Sequence, residues 1–200
     1  MRQDQISRRG LLTSVAFVPV SALVGSQTAE AQKSAGSALD AMARETLAAF
    51  VDRLVPADET GPGALECGAH DYIIRALGEF LASEQPQIVK SLADIDAWSI
   101  QTRGKSFRTL AAEERDAVIG AMASNEAKGF EPDARAVFLR LRQLTLEGMF
   151  SDPFYGGNKG FAGWDLLRYP GPRMAVAPDD QKLAMPKAMR RSAYGAQYGH

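Results

Sequence analysis

Gly148-Met-Phe-Ser-Asp-Pro-Phe-Tyr-Gly-Gly-Asn-Lys-Gly-Phe-Ala-Gly-Trp-Asp-Leu-Leu-Arg-Tyr-Pro-Gly-Pro172 holds the densest mixture of rings and chain-turning residues in the protein. Between Phe150 and Pro172 lie six aromatic residues, five glycines and three prolines, so no helical or strand period survives while large apolar surfaces accumulate. A disordered linker is poor in Phe, Tyr and Trp. The segment therefore reads as neither helix nor strand but as an ordered omega-like loop, its rings either wedged into a core or offered to a partner.

Upstream of the loop, Val137, Phe138, Leu141, Leu144, Thr145 and Gly148 recur at spacings of three and four, which predicts a fifth helix from near Pro132 to about Phe150. Gly148 permits close packing or begins the exit. Four earlier helices follow from the same period. The first carries Leu39, Ala43, Leu47, Phe50, Val51, Leu54 and Val55 and ends at Pro56; the second runs from about Ala64 to Leu81 through Leu65, Ala69, Tyr72, Ile73, Ala76, Leu77 and Phe80. Pro86 opens the third, which buries Ile88, Val89, Leu92 and Ile95 and reaches about Arg103. Phe107 and Leu110 anchor a connection to the fourth, where Glu113 and Glu114 suit the positive end of the helix dipole and Val118, Ile119 and Met122 face inward. No run of period two with β-branched enrichment appears. The expected fold is all-α, one domain of about five principal helices over 39–172.

Downstream, 173–200 is rich in Ala, Pro, Lys, Arg and Gly and reads as a polar extension that orders only on a partner, with a short helix around Asp179 to Met189. At the other end, Arg2, Arg8 and Arg9 precede an apolar run from Gly10 to about Val24, and Ala29-Glu-Ala31 forms a cleavage site. The run is shorter than the roughly twenty apolar residues of a spanning helix, so 1–31 reads as a signal peptide and 32–38 as a short flexible start. Ser7-Arg8-Arg9-Gly10-Leu11-Leu12 matches the twin-arginine (Tat) export signal, used for proteins that cross the membrane folded; the alternative is a Sec leader with two adjacent arginines. Either leader predicts the periplasm.

A composition of 46% hydrophobic and 24% charged residues suits an ordinary globular domain, and a formal charge of -1 provides no electrostatic reason to bind nucleic acid. Cys67 is the single cysteine, which rules out an internal disulfide; a buried thiol packed on a helix is the commoner outcome, and pairing with another subunit is the alternative. Catalytic and cofactor patterns are sparse. Gly61-Pro-Gly63 lacks the third glycine and the preceding strand of a dinucleotide site, there is no Cys-x-x-Cys-His for haem, and one cysteine cannot hold an iron–sulfur cluster. His70 and Asp71 are adjacent on a helix and point about a hundred degrees apart, too divergent to chelate one ion. The expectation is no catalytic, cofactor or metal residue in this chain.

Three separated stretches carry a resemblance. They are Arg53-Leu-Val-Pro-Ala-Asp58 with Gly61-Pro-Gly-Ala-Leu-Glu66 and Asp71-Tyr72; Phe107-Arg-Thr-Leu110 with Glu114-Arg-Asp116; and Thr145-Leu-Glu-Gly148 through Ser151-Asp-Pro-Phe-Tyr-Gly-Gly-Asn158, Gly163-Trp164 and Tyr169-Pro-Gly171. Together, over about residues 40–172, they resemble the gluconate 2-dehydrogenase subunit 3 family. The resemblance implies a small, exported, non-catalytic subunit beside a large FAD-dependent dehydrogenase of the glucose–methanol–choline type, often with a cytochrome c subunit carrying haem c. The twin-arginine signal makes the Tat translocase a partner, and the membrane is expected to be reached only through partners. Cys67 and His70 depart from the family, where apolar residues are more usual.

Tyr155, Asn158, Phe161, Trp164 and Tyr169 are then the candidates for the partner interface, since Trp and Tyr dominate the energetic centres of interfaces. The competing reading, that the rings belong to the monomer's core, stays open above all for Trp164. A second functional class also stays open: a free-standing periplasmic enzyme or ligand-binding module with an acidic cleft near Asp58, Glu66 and Asp71.

Overall fold

The computed structural model describes residues 39–173, 175, 178–181 and 188–195. Among the described residues there are six α-helices and no strand: α1 (Ala41–Leu54), α2 (Ala69–Gly78), α3 (Gln85–Arg103), α4 (Ala112–Ala123), α5 (Ala134–Phe150) and the short α6 (Ala162–Leu166). None is long and apolar enough to cross a membrane. The all-α expectation holds. Residues 1–38, with Arg8, Arg9, Ala29 and Ala31 of the expected leader, lie outside the described residues.

Local chemistry sets the helix ends. Asp40 Oδ1 accepts the amide of Ala43 at 2.7 Å and Asp133 Oδ1 that of Ala136 at 2.8 Å, so α1 and α5 each start on a carboxylate cap. Pro86 occupies the first turn of α3, where its missing N–H goes unused, and Glu114 reaches back to the amide of Ala111 at 3.1 Å to open α4. Helix α1 is central, packed against α2, α3 and α4, while α5 closes the bundle against α2 and α4. Leu47, Phe50, Ile73, Leu77, Leu92, Ile95, Phe107, Met122, Leu141 and Leu144 fill the interior at 0% exposure. These are the inward stripes of the sequence reading.

The second helix is shorter than its period suggested. Residues 64–68 form turns in which the Ala64 amide donates to Val55 O at 2.8 Å, and Gly68 at φ +74° breaks the path so that α2 starts at Ala69. It also ends early. The chain leaves the helical path after Gly78, and Phe80, which the stripe had placed inside, is 53% exposed. Cys67 accordingly sits in the turns before α2 rather than on the helix, fully buried, where burial raises its thiol pKa above the usual value. A thiol reagent added to the folded protein is expected to leave Cys67 unmodified for hours and to react within minutes once denaturant is present. Rapid labelling under native conditions would contradict this placement.

Two polar links tie the bundle and were not visible in the sequence. Asp96 of α3 accepts from Thr46 Oγ1 at 2.9 Å, from the Phe107 amide at 2.8 Å and from Arg108 Nη1 at 3.3 Å, joining α1, α3 and the Phe107–Thr109 turn. Arg53 Nε and Nη2 form a fork on Asp116 at 2.9 and 2.6 Å, which depresses the carboxyl pKa and raises that of the guanidinium. Two of the stretches that carried the resemblance thus meet at one ion pair between α1 and α4.

Candidate partner-binding site

At its end α5 runs against α2 at a glycine: a Cβ on Gly148 would lie 2.7 Å from Ala69 Cα and 2.9 Å from Ala69 O. Only a missing side chain allows this approach, and it sets where the loop begins. From Phe150 the chain turns through two 3₁₀ turns, Pro153–Tyr155 and Lys159–Phe161, and then forms α6. The omega-like loop is therefore ordered but contains one short helix, which the density of glycines had concealed.

Asn158 organises it. The residue is fully buried at φ +46°; its amide donates to Gly148 O at 2.8 Å, its Nδ2 donates to Ser151 O at 2.9 Å, and its Oδ1 accepts the amides of Gly163 at 2.9 Å and Trp164 at 3.4 Å. One side chain thus clamps the loop's entry to the start of α6. Asn is among the few residues that tolerate the left-handed region and carry both donor and acceptor. Gly163 is equally constrained, because a Cβ there would overlap the carbonyl of Met149. Trp164 closes the same seam: Nε1 donates to Phe150 O at 2.9 Å, and the ring, only 6% exposed, meets Phe161 at 5.4 Å and Tyr169 at 5.0 Å between centroids.

These placements correct part of the interface assignment. Asn158 is an interior part of the chain with no accessible surface, and Trp164, at 6% exposure, keeps only one patch of its ring open, beside Leu167 and Tyr169. Tyr155 and Phe161 are half-buried, and Tyr169 is 43% exposed. Leu166 and Leu167, absent from the sequence candidates, extend this surface at 38% and 58% exposure. No sequence signal distinguished them, because their period merely continued the apolar count of the loop.

The extension also departs from expectation. Residues 188–195 lie along the loop: Met189 N donates to Pro170 O at 2.7 Å, Ala193 N to Asp152 Oδ2 at 2.7 Å, and Tyr194 stacks on Phe154 at 4.4 Å while its hydroxyl sits 2.9 Å from that of Tyr155. This part of the extension is ordered on the chain itself. Of the helix expected around Asp179 to Met189, 179–181 belong to a 3₁₀ turn, Pro178–Gln181, and Ala188 and Met189 are not helical; 182–187 lie outside the described residues.

The acidic residues do not converge. Asp58 accepts from Thr60 Oγ1 at 2.5 Å within an exposed turn, which lowers its pKa, and Glu66 points to solvent. Asp71 pairs with Lys159 Nζ at 2.5 Å and lies 3.4 Å from His70 Nε2. His70 Nδ1 is buried without a hydrogen-bond partner, and burial pulls the imidazole pKa below its ordinary value despite the neighbouring carboxylate. Among the described residues no group of three or more His, Cys, Asp or Glu is arranged to hold a metal ion.

Residues 41–171 match the model of a protein family described as Gluconate 2-dehydrogenase subunit 3. The match begins on the first residue of α1 and ends at Gly171, so it takes in all six helices and the loop. No curated protein and no solved structure matches the chain.

Proposed function

The chain belongs to the gluconate 2-dehydrogenase subunit 3 family, and from this we propose that it is the small, non-catalytic subunit of a periplasmic FAD-dependent sugar or polyol dehydrogenase. Membership implies a subunit of a multi-subunit dehydrogenase complex. The finer reading adds three parts. The large partner is a flavoprotein of the glucose–methanol–choline type that holds the FAD; a cytochrome c subunit with haem c accompanies it; and the complex is held at the inner membrane through these partners. The small subunit stabilises the flavoprotein and, through its own leader, takes it across the membrane by the Tat route.

The observation that carries this reading is a family match that runs over all six helices of the fold and its aromatic loop. A fold that serves as a subunit needs a surface for its partner. The exposed residues of the loop, with Tyr155, Phe161 and Tyr169 carried over from the sequence candidates, supply it. Purifying the tagged chain from its native host and identifying the chains that co-elute tests the proposal directly. A flavoprotein in about equal amount is expected, with all flavin on that chain and dehydrogenase activity toward a sugar or polyol. A chain that elutes alone, or carries the flavin itself, would refute the assignment.

A further inference from the structure

Beyond Trp164 the loop surrounds a cavity of about 530 Å³ lined by Phe150, Trp164, Leu167, Arg168, Tyr169 and Pro170. Its floor is rigid, because the indole is pinned to Phe150 O and flanked by two further rings. Its rim is apolar and open, with Leu167 at 58% and Tyr169 at 43% exposure. One cation stands on that rim. Arg168 is exposed, sits at φ +53° on the reversal after α6, and forms no ion pair with any described residue. The carboxylate closest in sequence, Asp165, is already taken by Arg190 at 2.5 Å. Asp165 O accepts the Arg168 amide at 3.0 Å, which fixes the backbone from which this side chain projects.

We propose that this socket receives the large dehydrogenase subunit, which inserts one apolar side chain between Trp164, Leu167 and Tyr169 and sets a carboxylate against Arg168; the inference rests on the accessory-subunit reading above. Covering Leu167 and Tyr169 removes apolar surface from water, which favours association. The same act desolvates Arg168, and a charge buried without its counterpart opposes binding strongly, so the partner must bring an anion to that point. A fork-shaped guanidinium fits a carboxylate with two parallel hydrogen bonds. A second groove lies between α1 and α3, about 390 Å³ in volume, with Met42 and Ile100 on its rim. Its Asp96 and Arg108 are paired with each other. The cation of that groove is already engaged, whereas Arg168 pairs with no described residue.

The test uses the full chain co-produced with the large subunit and captured through a tag on the small one, over a series of salt concentrations. Arg168→Glu and Leu167→Ser are expected to lower the retained dehydrogenase subunit by about tenfold or more, and Arg168→Gln by less, with a flatter dependence on salt because the screened attraction is gone. Met42→Ser, on the other groove, leaves retention at the wild-type level. All four changes are at exposed side chains, so melting temperatures stay within about 2 °C of wild type and folding does not confuse the comparison. If wild type captures the dehydrogenase subunit and Arg168→Glu and Leu167→Ser capture it equally well with an unchanged salt profile, the socket is not the docking point although the accessory role stands. If wild type captures none, both readings fail. Self-association of wild type that Leu167→Ser abolishes would replace the dehydrogenase subunit with a second copy of this chain and overturn the inference.

Discussion

Asn158→Ala is expected to cost about 4 kcal/mol of folding stability, and Asn158→Gly about 1 kcal/mol less. Both variants lose the Nδ2 bond to Ser151 O and leave the amides of Gly163 and Trp164 without the Oδ1 acceptor. Buried donors and acceptors left unpaired carry a penalty of about 1–3 kcal/mol each. Alanine must in addition occupy the left-handed region at φ +46°, where its Cβ crowds the carbonyl, whereas glycine adopts that region freely. At about 2–4 °C per kcal/mol for a chain of this size, the alanine variant should melt about 8–16 °C below wild type. The order of the two variants matters as much as the size. Equal melting of Asn158→Ala and wild type, or an alanine variant more stable than the glycine one, would show that the clamp is not what holds the loop. The downstream effect should be a socket that no longer forms, since α6 and the Trp164 floor are seated through the same side chain.

Replacing Arg8 and Arg9 together by lysine is expected to leave both this subunit and the dehydrogenase subunit in the cytoplasm, with activity there and none at the periplasmic face. A flavoprotein acquires its cofactor by folding in the cytoplasm, which the Tat route accommodates and the Sec route does not. If the large subunit has no leader, it crosses only when bound to a chain that has one. Lysine conserves the charge but replaces each planar fork with a compact ammonium, so the loss would report recognition geometry and not net charge. Cell fractionation followed by activity measurement reads the result. Normal export of the large subunit while the small one is retained would end the escort role; normal export of both would return the leader to the Sec reading.

The two predictions rest on features of different legibility. The inward stripes of five helices are local patterns, each set by spacing within a few residues of the chain. Helix existence was accordingly readable, while the ends of α2 were not: Gly68 and the departure after Gly78 respond to what surrounds that helix, and Phe80 moved from the expected core to the surface as a result. In the loop, composition alone announced order, because so many rings would not be left in water. It could not sort them. Trp164 at 6% exposure and Tyr169 at 43% carry the same kind of ring five residues apart.

The amino-acid order by itself determined that this protein is helical, that an aromatic turn-rich segment follows the fifth long helix, and, through Ser151 to Asn158 and Tyr169 to Gly171, which family it resembles. The first two need only the 3.6-residue period, the backbone limits of Gly and Pro, and the side chains present; the third rests on the likeness of those motifs. Tertiary structure alone decided that Asp96 knots α1, α3 and the Phe107 turn, that Arg53 reaches Asp116, that Asn158 is a clamp and not a contact, and that Arg168 stands beside an open socket with no ion pair among the described residues. Each of these depends on which distant groups the packing brings within about 3 Å, and hydrogen bonds and ion pairs fall away so steeply with distance that no one-dimensional pattern encodes them.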